Sequence, residues 1–337
     1  MSYQELVRKR LALGVAVSLA LLISLFASAL LGPYHISLED VLSRNVVFWN
    51  IRLPRIVTAV IVGASLAVSG AVMQCILRNP LASSFTLGIS HGAAFGASFA
   101  ILYLGAGLTH RAGEGVTFLN PYLVTLFAFL GSLIGVVVIL ALARLRSMSP
   151  EAMVLAGVAM ASLFSASTML LQYFAENEIL VAYAVFWTFG DMGRTGWNEI
   201  WLMTISFLAI FPYFYLRRWD YNALLLGDET ARSLGTNPER VRLTGMLAAA
   251  FLTAVSTAFA GIVGFVGLVS PHIIRMLIGS DYRFLIPLSA IFGSLLLLTA
   301  DTFGRIVLSP VILPVGIVTS FIGAPLFIYI LVRGGGR

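Results

Sequence analysis

Charge is scarce in this chain, and lysine is almost missing. Aspartate, glutamate, lysine and arginine together make up 11% of 337 residues, and Lys9 is the one lysine among 21 basic side chains. A phosphate-cradling Gly-x-x-x-x-Gly-Lys loop is therefore excluded, and any step driven by ATP needs a second subunit. Cysteine is represented by Cys75 alone, within an apolar stretch. That rules out an intrachain disulfide and makes Cys75 a small core residue. The four histidines, His35, His91, His110 and His272, have neither close ligand spacing nor a cysteine partner. Nothing in that pattern points to a built-in metal or haem site.

What fills the space is apolar surface, at 59% of residues. No soluble core hides that much. Runs near the roughly 20 residues needed to cross a bilayer lie at about 11–31, 54–77, 121–142, 150–174, 198–217, 239–262, 284–303 and 312–332. Two shorter glycine-rich stretches, about 85–105 and 264–279, bring the expected spans to ten. Arg8, Lys9 and Arg10 precede a first run that is long for a signal peptide and lacks a clear cleavage site, which favours a retained anchor. A cytoplasmic N-terminus then places most basic residues inside, among them Arg78, Arg144, Arg146, the group from Arg217 to Arg242, Arg275, Arg283, Arg333 and Arg337. This is the positive-inside pattern, with both termini cytoplasmic. The net charge of +6 thus reports topology, and nucleic-acid binding is an unnecessary reading.

Two segments share a spacing: Gly70, Pro80 and Gly88 match Gly261, Pro271 and Gly279 at the same offsets. About five spans separate them, so the second copy should be inverted relative to the first, and inverted repeats broken by Gly and Pro mark transporters. Between Gly63 and Gly70 a series of small residues offers close helix contact. Pro80 stops the second span and leaves Asn79 at the inner face. Pro54 suits the start of that span. Arg52 and Arg55 lie three apart on one helical face near the outer surface, where snorkelling to headgroups and docking of an acidic partner are both open.

The outer segment 175–198 mixes Glu176, Glu178, Asp191 and Arg194 with Trp187 and Trp197, which suits a short surface helix. The longest inner polar segment, Arg217 to Arg242, is more organised. Asp228 can cap a helix that Gly235 ends, and a second helix begins near Pro238. This reads as a compact docking knob. Late in the chain Asp301 and Arg305 have i, i+4 spacing, so a local ion pair can offset the cost of a carboxylate in the membrane. Pro325 should kink the last span or free a carbonyl.

The blocks Arg52-Leu53-Pro54-Arg55, Ser69 to Gln74, Arg78-Asn79-Pro80-Leu81-Ala82, Leu87-Gly88, Gly227 to Gly235, Gly264 to His272, Ala300-Asp301 and Gly323-Ala324-Pro325 together resemble the FecCD-like permeases of type II ABC importers for iron-siderophore, haem and cobalamin uptake. They stand in family order over nearly the whole chain. The resemblance implies an all-α polytopic inner-membrane protein of about ten transmembrane helices with an inverted internal repeat. It implies one permease domain over 1–337, with repeat halves at about 50–197 and 239–333 and a cytoplasmic coupling segment at about 218–238. Implied partners are a second copy in a homodimer, two ATP-binding cassette ATPase subunits that bind ATP and Mg, an extracytoplasmic substrate-binding protein and membrane lipid. The chain itself would hold no cofactor and make no bonds.

Carried over by position, Gly227, Asp228, Glu229, Arg232, Ser233 and Gly235 would couple to the ATPase, with Glu229 and Arg232 in contact. Arg52, Arg55 and Arg305 would meet acidic residues of the binding protein. Asn79, Pro80 and Leu81 would form a cytoplasmic gate, joined by the turn from Ser147 to Glu151, and the fifth and tenth spans would wall the pathway. Ferric siderophore is the first expectation for cargo, while cobalamin or another corrinoid, haem and molybdate stay open, because no chelating cluster separates them. Outside the family, an ion-coupled secondary transporter would need acidic residues in mid-span, and here they cluster near span ends or in loops. A membrane scaffold leaves the inner segment unexplained.

Overall fold

The computed structural model describes residues 3–34, 36–37, 39, 43–106, 109–112, 115–118 and 120–334. Helix α1 (Tyr3–Leu30) is followed by a π-helical turn (Phe48–Arg52) that runs into α2 (Leu53–Ile76). Then come α3 (Ile89–Leu104), a hairpin of β1 (Thr109–Ala112) and β2 (Gly115–Phe118), α4 (Pro121–Arg144), α5 (Pro150–Tyr173) and α6 (Glu178–Trp187). The chain continues through α7 (Trp197–Leu216), two short helices α8 (Arg218–Leu225) and α9 (Asp228–Ser233), α10 (Pro238–Ala260), α11 (Val266–Ile278), α12 (Tyr282–Ile306) and α13 (Val315–Gly334). Among the described residues seven helices are long and apolar enough to cross a membrane: α1, α2 with its π turn, α4, α5, α7, α10 and α12. Helices α3, α11 and α13 complete the expected ten. The expected outer surface helix is α6, capped by Asn177, whose side chain accepts from Ile179 N at 3.0 Å.

Helix α2 is the axis of the bundle. In its most apolar stretch 83% of residues are buried, against 11% in α1 and 17% in α5 and α7, so the latter three present their flanks to lipid or to other subunits. The small residues of α2 explain why. At Gly63 a Cβ would overlap the Gly293 carbonyl of α12, and at Gly70 it would overlap the Gly267 carbonyl of α11. Backbones in contact at that distance exclude every side chain larger than hydrogen. The same device joins α3 to α4, where Gly92 faces Gly131 and Gly96 faces Phe127. Around α2 the core divides into an inner cluster that includes Met73, Ile76, Tyr221 and Tyr282, and an outer one that includes Ile56, Met192 and Leu297.

The equal offsets of the two Gly/Pro segments do not mark equivalent positions. Gly70 lies within α2 and Gly88 is the N-cap of α3, whereas Gly261 and Gly279 close the ends of α10 and α11. The correspondence that the backbone makes is between two breaks, residues 77–88 before α3 and 261–265 before α11. Each break ends on a residue with positive φ, Gly88 at 74° and Phe265 at 65°. The two sequence segments instead meet face to face, at Gly70 and Gly267. Helix α13 runs on through Pro325 without a break.

Replacing Gly70 by Ala should therefore force α2 and α11 apart and destabilise the protein by about 1–3 kcal/mol or more. Gly264→Ala, where the nearest atom to a new Cβ is the Ser320 hydroxyl at 3.6 Å, should be tolerated. Unfolding midpoints of the two variants in detergent compare them directly.

Candidate functional site

Three stations lie along α2. We call the end that carries the α1 N-terminus the inner end. At the outer end, Asp301 on α12 is fully buried and takes both Arg55, through Nε at 2.9 Å, and Arg305, one turn on, through Nε at 3.1 Å. Arg55 Nη2 also sits as an ion pair 3.1 Å from Asp191, in the turn between α6 and α7. The remaining donors close the C-terminus of α1. Arg52 reaches the carbonyls of Ala29, Leu30 and Tyr34, while Arg305 reaches those of Ser28 and Leu31 and the Ser28 hydroxyl. The last turn of a helix leaves carbonyls without partners, and the two guanidinium groups supply them.

The middle station is a cavity of about 540 Å³ where the two breaks meet. Ser83, Phe85 and Thr86 come from the first break, Ile262, Gly264 and Phe265 from the second, and Gly316, Ser320 and Phe321 from α13. Irregular backbone at membrane depth is tolerated where it lines a cavity or is buried in protein. Both conditions hold, since Asp191 N donates to Ala260 O at 2.8 Å and Gly316 N to Phe189 O at 3.0 Å. Phe265 keeps its positive φ because Gly323 leaves room for its ring. Among the described residues no charged side chain lines this space. Phe321 is 78% exposed, so the cavity opens to one side.

At the inner end the short helices are tied down by carboxylates. Asp228, the first residue of α9, receives two hydrogen bonds of 2.7 Å from Arg242 and an ion pair from Arg78. Hydrogen bonding from Arg242 comes first among the causes that hold its carboxyl below the usual range. Gly227 is the residue preceding α9, so Asp228 does not serve as the cap expected for it; its carboxylate is spent on the two arginines. Gly235, at φ 84°, ends α9 as expected, and Asn237 caps α10 by accepting from Arg240 N at 3.1 Å. Asp281, before α12, gathers Arg10 from α1, Arg283 and the Asn222 amide of α8. Burial pushes its carboxyl up, but hydrogen bonds from Arg283 and Asn222 more than offset this and bring it from 3.8 to about 2.

A sequence model of the FecCD transport family matches residues 20–333. The chain belongs to the FecCD transport family. A putative ABC transporter permease of Methanocaldococcus jannaschii is 55% identical, covering 98% of this chain and 97% of that one. The hemin transport system permease HmuU of Yersinia pestis is 36% identical over 97% of both. The vitamin B12 import permease BtuC of Klebsiella pneumoniae is 38% identical, over 95% of this chain and 93% of that one. Among solved structures, an inward-facing metal-chelate type ABC transporter described as putative superposes with a TM-score of 0.83 at 29% identity, covering 98% of this chain and all of the other.

Within this FecCD-family permease the site residues expected from sequence fall into two ends of one bundle. Glu229, Arg232, Ser233 and Gly235 are exposed on α9 and the turn after it, while Asp228 is shared between arginines. Asn79 and Leu81 form one turn, where Leu81 N donates to Asn79 Oδ1 at 2.9 Å, and Pro80 lies exposed between them. Arg52, Arg55 and Arg305 do not stand out on the surface; all three are buried, at 5%, 7% and 3% exposure. The expected local pair of Asp301 with Arg305 is present, and Arg55 joins it from 246 residues away. Helix α13 walls the cavity, but α5, the fifth span, contributes nothing to it within one copy. Arg78 and Arg242 were not singled out from sequence as site residues, although Arg78 opens the block that runs to Ala82 and Arg242 closes the inner polar segment.

Two outcomes follow from these charges. Asp301→Leu leaves the buried guanidinium groups of Arg55 and Arg305 without their shared carboxylate and should cost about 3–5 kcal/mol, whereas Asp191→Asn, at a partly exposed carboxylate, should cost under about 1 kcal/mol; denaturation midpoints separate the two. Asp281 has a folded pKa below its unfolded one, so its contribution is fully present above 3.8 and is lost as the pH falls toward about 2. Thermal unfolding of detergent-solubilised protein across that window should show the loss, and Asp281→Asn should flatten it.

Proposed function

We propose that this chain is the translocating subunit of an ATP-driven importer, with a metal chelate as cargo and ferric siderophore as the first choice. The relatives named for hemin, vitamin B12 and Fe(3+)-citrate import keep haem and corrinoids as alternatives. Supporting this is the exposed face of α8–α9, where Leu226 and Leu234 are 64% and 62% exposed on either side of Glu229 and Arg232. Large apolar side chains kept outside the spans and set among charges are the makings of a protein contact. An ATPase subunit that binds ATP and Mg would seat on this face, and Glu229 and Arg232 would contact it.

A second copy of the chain would close the open side of the cavity along a dimer axis, and Asn79, Pro80 and Leu81 would gate its inner mouth. A binding protein would dock over the outer end. Arg52, Arg55 and Arg305 would act there chiefly by fixing the end of α1 and the turn at Asp191, since direct contact with a partner's acids requires the cluster to open. The ion-coupled alternative needs a carboxylate free to bind a cation. Asp301, the acidic residue buried among the described ones, is held by Arg55 and Arg305 near the outer end.

Co-purification with an ATPase encoded beside it, followed by hydrolysis assays in lipid, tests this. A binding protein loaded in turn with ferric siderophores, cobalamin, haem and molybdate should stimulate hydrolysis with one class of cargo. Glu229→Arg and Arg232→Glu should reduce that stimulation by about tenfold while the chain stays inserted. Unaltered stimulation in both variants would remove α9 from the contact.

A further inference from the structure

The turn after α2 is bonded at one end to α9 and at the other lines the cavity. Arg78, at φ 46°, leaves α2 and directs its guanidinium to the Leu224 carbonyl that closes α8, at 3.2 Å, and to the Asp228 carboxylate that opens α9. The other claimant on Asp228 is Arg242, whose side chain is 1% exposed inside α10. Two bonds of 2.7 Å from that buried guanidinium reach Asp228, itself 34% exposed, and join α9 to the first turns of α10. The Arg78 side chain is 37% exposed. A partly exposed pair contributes little to stability, yet it is the ionic link between α9 and the turn.

Beyond Arg78 the turn is stiff. Ala82 N donates to Asn79 O at 3.1 Å, Ser83 N to the Thr86 hydroxyl at 2.9 Å, and Leu87 N to Ser83 O at 3.1 Å. A displacement applied at Arg78 therefore reaches Phe85 and Thr86 on the cavity wall with little slack. Gln74, one turn back in α2, is bonded to Leu268 O and Arg275 of α11, so the helix itself is anchored and the turn is the part left to move.

We propose that Arg78 is a positioning residue through which movement of α9 is transmitted to the segment 79–86, whose Ser83, Phe85 and Thr86 line the cavity. The proposal rests on reading α9 as the ATPase contact. In a merely structural role, Arg78 would only cap α8, and its loss would lower stability without altering communication.

The test uses the complete transporter reconstituted with its ATPase, carrying Ser84→Cys beside the buried native Cys75. The alkylation rate at position 84 is measured with and without ATP. We expect ATP to change that rate, Arg78→Gln to shrink the change by about tenfold with ATPase association and hydrolysis retained, and Arg78→Lys to keep most of it. An undiminished ATP response in Arg78→Gln, or a response and ATPase association lost together in both variants, overturns the assignment. If the unsubstituted chain associates with no ATPase, the reading of α9 fails and the proposal with it. If it associates and hydrolyses but position 84 is silent to ATP, the proposal alone fails.

Discussion

Backbone-to-backbone contact along α2 is the constraint from which the rest of this structure follows. With Gly63 against Gly293 and Gly70 against Gly267, the helix is clamped between α11 and α12 at distances no side chain survives. Lipid tails offer no hydrophobic drive for helix association, so close packing and buried hydrogen bonds must hold the bundle together. Once α2 is fixed in this way, its two ends become reference points. Arg52 and Arg55 sit at one end and Gln74 and Arg78 at the other, and each reaches to a different helix. A single rigid helix thus spans the distance between the outer ionic cluster and the inner joint.

Scarcity of charge shapes both ends. Asp301, Asp228 and Asp281 each collect two arginines, so three carboxylates hold most of the ion pairs among the described residues. Arginine suits this work better than lysine. Its fork can serve a carboxylate and several carbonyls at once, as Arg305 does with Asp301, Ser28 and Leu31. The near absence of lysine in a chain with so many guanidinium groups then has a structural reason, because a point charge could not close the end of α1 and pair with Asp301 together.

What the sequence made legible was local. The small residues of α2, the pair at Asp301 and Arg305, the end of α9 at Gly235 and the start of α10 near Pro238 all depend on neighbours within a turn or two. The long-range partners were not legible, because nothing in spacing joins Arg55 to Asp301 or Arg78 to Asp228 across 246 and 150 residues. The glycine register misled for a different reason. Gly70 lies mid-helix against α11, whereas Gly261 ends α10 at a φ of 77°, so equal offsets linked residues in unlike places. The arginines at the outer end were read as surface groups because a helical face can be counted from sequence, whereas the α1 carbonyls that bury them cannot.

The cavity shows how the breaks and the clamp belong together. Each break shortens the helix that follows it, α3 to 16 residues and α11 to 13, and residues of both breaks line the cavity. Its walls are phenylalanine rings and hydroxyls, without a fixed charge. Such a surface has no group that binds a charged ligand tightly, and a pathway must release what it admits. Selectivity would then lie with whatever delivers the cargo, while this chain supplies movable walls. The two breaks are held differently: 261–265 by α13 through Gly316 and by the packing of Phe265 on Gly323, and 79–86 by α2 through Asn79 N to Gln74 O and by α9 through Arg78, so of the two it is the first that a displacement of α9 would reach.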